Sequence, residues 1–101
     1  MRQFDVCRLK DRGEQLVVVL QHDMADELAT RVVAPLSDRS FRKLITRLRP
    51  IVTLNGENCV LQLDRLAAIQ QSAIGFAEAS VAADELRIKN ALDLLFFGCD
   101  R

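Results

Sequence analysis

Residues 16–20 read Leu-Val-Val-Val-Leu, and this run constrains the chain more than any other segment. Three adjacent β-branched side chains lose rotamer freedom in a helix and pack well on a pleated surface, and the run is short, so a buried strand is favoured over a helix. Its neighbours predict the rest of a sheet. Upstream, Phe4 and Val6 alternate with polar Asp5 and Arg8 toward Leu9, and Asp11-Arg12-Gly13 supplies turn chemistry, so the first two elements read as a hairpin. Downstream, Arg31 to Leu36 reads as a further strand, and Pro35 places it at a sheet edge or at its own end, because proline cannot donate to the ladder. Ile51 to Leu54 and a return strand from Cys59 to Leu63 flank Asn55-Gly56, the strongest short hairpin signal in the chain. Leu66 to Ile74 reads as one bent strand ending at Gly75.

Two segments carry helical rather than alternating spacing. From Asp38 to Arg49, Phe41, Leu44, Ile45 and Leu48 recur at helical intervals with Arg and Lys between them, which predicts a short amphipathic helix closed by Pro50. From about Ala82 to Phe97 there is no Gly or Pro, Asp84 and Glu85 occupy the first turn where the helix dipole favours them, and Gly98 marks the stop. A step of 100° per residue puts Ile88, Ala91, Leu92 and Leu95 on a core-facing side and Leu86, Asn90, Asp93 and Phe97 on the other. A Phe that points away from its own core needs another surface: a partner, a loop that wraps the helix end, or a second subunit.

A chain of 101 residues suits one domain spanning residues 1–101. All five aromatic residues are Phe, so the core is built from Leu, Val, Ile and Ala. Fourteen basic residues balance fourteen acidic ones, which leaves no net field to attract a polyanion and disfavours direct nucleic-acid binding. The opening MRQFDVCRLK lacks a secretory apolar run, and no stretch approaches the roughly 18 apolar residues of a membrane span, so a cytoplasmic protein is expected. Cys7, Cys59 and Cys99 are odd in number and far apart, which fits neither a disulfide framework nor a zinc site and predicts free thiols. The single histidine, His22, sits in a polar stretch with no nucleophile identifiable beside it, and Asp23, Asp26 and Glu27 lack the spacing and glycine of a calcium loop. The four glycines are isolated and build no phosphate cradle. These features predict no catalytic residue, no metal and no cofactor, and a protein that acts by gripping another protein.

In chain order, Gln3-Phe4-Asp5-Val6, Gln21-His22-Asp23, Arg31-Val32-Val33-Ala34-Pro35-Leu36, Pro50-Ile51-Val52, Ser72-Ala73-Ile74-Gly75 and the closing IKNALDLLFFG run through almost the whole chain, and in that order the sequence resembles the CcdB family of toxins. The resemblance implies a mainly-β, SH3-like barrel of the CcdB/MazF/Kid type with a C-terminal α-helix near the axis of a homodimer. It implies a toxin that is not an enzyme. Such a toxin binds the A subunit of DNA gyrase, traps the cleaved gyrase–DNA complex, is neutralised by a CcdA-type antitoxin, and reaches operator DNA only as the toxin–antitoxin complex that represses its own operon.

Carried over by position, the resemblance implies that Met24 and Ala25 contact gyrase from a loop and that Asp93, Phe96, Phe97, Gly98 and Cys99 contact it from the helix end. The chain departs from the best-known members where they end in Trp-Gly-Ile: Phe97 replaces the Trp, Cys99 replaces the Ile, and Asp100-Arg101 follow. Ala25 also shrinks the aliphatic loop pair. A phenyl ring offers a cation smaller attraction than indole, which weakens the grip on a target arginine by ~0.5–1 kcal/mol per site. Two alternatives stand beside the gyrase poison. One is a MazF-like ribonuclease on the same barrel, which needs a basic groove and a positioned acid–base pair; the other is a degenerate member that keeps antitoxin binding but has lost poisoning. Ile88, Leu92, Leu94, Leu95, Phe96 and Phe97 make the last helix apolar on nearly all sides, more than one barrel can bury, so a symmetric dimer with Leu94 to Phe97 near its axis is expected.

Overall fold

The computed structural model describes residues 2–13, 15–23, 27–38 and 47–98. Within them the chain forms β1 (Asp5–Leu9), β2 (Leu16–Val19), β3 (Thr30–Ser37), β4 (Ile51–Leu54), β5 (Glu57–Leu61), β6 (Ala67–Gln70), β7 (Ile74–Ser80) and one helix, α1 (Glu85–Phe97). The strands run antiparallel in the order β4-β5-β3-β2-β1-β7, with β6 also paired to β3. This is the curled, mainly-β architecture with one C-terminal helix that the sequence predicts. Most of the helix expected over Asp38 to Arg49 lies outside the described residues, as do Met24, Ala25 and Cys99.

The Leu-Val-Val-Val-Leu run is explained by a sheet buried on both faces. Val6, Val18 and Ala34 face the main cluster with Phe4, Val52, Leu61, Leu63 and Ile88, whereas Cys7, Val17, Val19 and Val33 face a second, smaller cluster with Leu9 and Ile74. The register Val6↔Val18 and Cys7↔Val17 keeps like faces together across the hairpin. Each fully buried aliphatic side chain contributes about 1.5–3 kcal/mol, so both clusters matter to stability. At the β4–β5 turn Asn55 and Gly56 both take positive φ, 52° and 83°, as a two-residue type I′ hairpin requires. The return strand begins at Glu57 and ends at Leu61, before a 3-10 turn at Leu63–Arg65, rather than spanning Cys59 to Leu63.

Two further expectations need correction. Pro35 does not mark an edge: β3 is interior, paired with β2 on one side and with β6 and then β5 on the other. The Pro35 carbonyl accepts from the Gln62 backbone N–H at 3.0 Å, so its missing donor faces the gap where β3 exchanges β6 for β5, and no ladder bond is lost. Residues 66–75 are not one bent strand. β6 ends at Gln70, a 3-10 turn covers Gln71–Ala73, and β7 runs through Gly75 to Ser80. Gly75 is a point of close approach, since a Cβ there would lie 2.9 Å from the Arg8 carbonyl oxygen. Arg8 also holds β7 by a two-pronged ion pair to Glu78 at 2.9 and 3.0 Å, which lowers the Glu78 carboxyl pKa.

Candidate functional site

The helix is firmly tied at its start. Phe4 receives the Val81 N–H on its carbonyl at 2.9 Å, the Asp84 carboxylate accepts from the Thr53 N–H at 3.0 Å, and the Arg87 guanidinium donates to the Ile51 carbonyl at 2.8 Å. Lys89 and Glu85 add an ion pair one turn apart at 2.6 Å. Ile88 and Ala91 are buried in the main cluster, with Leu92 packed against it, which agrees with the core face predicted from periodicity. Leu95 is only half-buried. Beneath the helix lies the 3-10 turn Leu63–Arg65. There Arg49 grips Asp64 through two hydrogen bonds of 2.9 and 2.8 Å, and that contact holds the Asp64 carboxyl below the usual carboxylate range.

At its other end the helix opens to solvent. Gly98 adopts the left-handed conformation, φ 65° and ψ 23°, and its N–H donates to the Leu94 carbonyl at 3.0 Å, an αL cap that a side chain at this position would strain. The two preceding rings are exposed, Phe96 by 61 % and Phe97 by 78 %, and they lie tilted against each other with centroids 6.5 Å apart. That spacing is typical of an aromatic pair, so the two rings share one surface. Asp93 is half-buried one turn back. Four of the seven expected contact residues, Asp93, Phe96, Phe97 and Gly98, thus fall in the last turn and its cap. Met24, Ala25 and Cys99 lie outside the described residues, but Asp23, next to the loop pair, is pinned by accepting the Gln3 N–H at 2.8 Å.

The tip offers apolar rings, a bare glycine and one carboxylate. Exposed rings can bury about 150–250 Å² each against a partner and present their faces to a cation. Among the described residues no group of three His, Cys, Asp or Glu side chains could hold a metal ion, and no helix is long and apolar enough to cross a membrane. Cys7 is buried and Cys59 half-buried, both as free thiols whose pKa is raised, first by burial and then by Asp5 and Glu57 respectively. Their thiolates are disfavoured, which makes them poor nucleophiles. One exposed aromatic escapes the sequence reading: Phe76 on β7 is 95 % exposed. A strand read through Gly75 would have exposed it as an apolar residue on an outer strand.

Residues 3–98 match the family described as CcdB protein. Among solved structures the chain is similar to one described as an endoribonuclease in complex with its cognate antitoxin from mycobacterial species, with a TM-score of 0.75 and 12% identity over 92% of this chain and 91% of that one. At that identity the likeness is one of fold.

Proposed function

The chain belongs to the CcdB family, and we propose that it is a protein toxin that binds the A subunit of DNA gyrase, traps the cleaved gyrase–DNA complex and performs no catalysis of its own. The observation that carries this reading is the tip of α1, where Phe96, Phe97 and Gly98 stand exposed on a helix whose base is anchored. The tip, with Asp93 beside it and Cys99 after it, and a loop contribution from Met24 and Ala25 form the gyrase contact. The toxin acts in the cytoplasm as a homodimer, a CcdA-type antitoxin neutralises it, and the toxin–antitoxin complex represses their operon.

A test combines purified protein with gyrase, ATP and supercoiled plasmid, and looks for linear DNA after detergent and protease. Accumulation of linear plasmid is expected; its absence at a large excess of protein contradicts the reading. The second reading, a ribonuclease, draws on the fold shared with the endoribonuclease structure. Incubation with RNA separates it, because a gyrase poison leaves RNA intact.

A further inference from the structure

β7 is the last strand of the sheet, with β1 on one side and, among the described residues, no strand on the other. Its pairing with β1 is irregular in two places. Leu9 and Cys7 face Ile74 and Ala77, so two steps of β1 span three of β7, and Val6 faces Ala79, so the next single step spans two. Regular alternation would put Phe76 on the Ile74 face, over the second cluster; the extra residue breaks that alternation, and the ring stands 95 % exposed at the rim. Beside the ring lies a hollow of about 260 Å³, lined by Lys10, Gln71, Ile74, Gly75 and Ala77. The Lys10 backbone N–H donates to the Ala73 carbonyl at 2.9 Å, which fixes that lysine at the Ile74 end of β7. Glu78, held by Arg8, lies on the opposite side of Phe76.

We propose that the rim of β7 is a self-association surface, on which a second copy of this chain seats its Phe76 ring in the hollow and receives this ring in its own. The hollow exceeds the roughly 150 Å³ of a cavity that holds benzene, so a phenyl ring fits. Charge selects the same occupant. A two-fold axis beside Phe76 and perpendicular to the strand runs the two β7 strands antiparallel, which sets the Glu78 end of each copy against the Lys10 end of the other. The same operation brings each ring to a hollow that Lys10 lines, where an ammonium attracts an aromatic face. Ring, hollow, cation and carboxylate are thus all supplied by one chain and all matched by its own copy. The bulges disfavour a continuous ladder between the two edges, so the contact rests on side chains. Two rings burying about 150–250 Å² each fall well short of the roughly 1,200–2,000 Å² of a stable interface, so the association is weak and depends on concentration. It shares no residue with the tip of α1 and is independent of the gyrase reading; where the copies are already paired through α1, it joins one pair to another.

Sedimentation equilibrium of the full chain from about 10 μM to about 1 mM, the range of weak contacts, tests it alongside amide NMR spectra over the same series. The parent should gain mass across the range, and the amide resonances of Gln71 and Ala77 should move with the gain. Phe76→Glu should abolish this step, and Phe76→Leu should weaken it about tenfold. Lys10→Glu, which sets a carboxylate against the partner's Glu78, should weaken it about fivefold or more. Phe76 packs on little of its own chain, so an unchanged melting temperature at low concentration would verify that its variants keep the fold. The proposal is overturned if the parent and Phe76→Glu have equal mass at every concentration, if Lys10→Glu associates as tightly as the parent, or if the resonances that move with the gain lie on α1 and not on β7.

Discussion

The two ends of α1 are built for different tasks. Its first two turns bury Ile88 and Ala91 and are tied to β4 by Asp84 and Arg87, whereas its last turn leaves Phe96 and Phe97 in solvent and stops on a left-handed glycine. A residue at the base is held by its own barrel, so its loss is felt as stability. A residue at the tip touches little of its own chain, so its loss is felt only when a partner is present. On the proposed reading one helix separates folding from recognition, and the contrast can be broken or sharpened by moving along it.

The largest effect is expected at the base. Ile88→Ala empties a fully buried site and should cost about 2–5 kcal/mol, lowering the melting temperature by many degrees. A shift of only a degree or two in a thermal scan would show that the base is not the anchor. Leu92, one turn further, packs against the main cluster but is half-buried, so Leu92→Ala should fall between base and tip, at about 1–2 kcal/mol by denaturant unfolding. A cost as large as that of Ile88→Ala would move the boundary of the anchored region toward the tip.

The turn beneath the helix makes the same contrast visible as a pH effect. Because Arg49 lowers the folded-state pKa of Asp64, the pair contributes fully above the unfolded carboxyl pKa of about 3.9 and its contribution is lost as pH falls through the lower folded value. The pair is partly exposed, so the loss should be about 1 kcal/mol or less. Chemical denaturation from pH 6 down to pH 2 should show this step in the parent and a smaller one in Asp64→Asn; equal slopes would remove the pair from the account. The smallest change concerns the ring itself. Phe97→Trp enlarges the cation-attracting face and should tighten gyrase A-subunit binding by ~0.5–1 kcal/mol in titration calorimetry, with the melting temperature unchanged.

Local chemistry was legible in the sequence and long-range pairing was not. The buried run at residues 16–20, the Asn55-Gly56 turn and the α1–Gly98 boundary each depend on residues within one turn of one another, and each appears where the sequence places it. The errors arose where a strand's role depends on distant partners. Pro35 sits inside the sheet because β3 changes neighbours at that point, and Gly75 continues a strand because β1 passes close to it. No local pattern announces either. At the candidate site, the outward Phe97 and its glycine were legible from helical periodicity, whereas Phe76 was hidden by a strand ended too soon.

The most direct test of the division within α1 is a paired measurement on Phe97→Ala: its melting temperature and its affinity for the gyrase A subunit. The ring is 78 % exposed, so its removal should leave the melting temperature within about a degree while weakening binding by about 2 kcal/mol or more, the loss expected of an aromatic anchor. A melting temperature lowered by many degrees would make Phe97 part of the core or of a dimer interface, and an undiminished affinity would take gyrase recognition away from the tip.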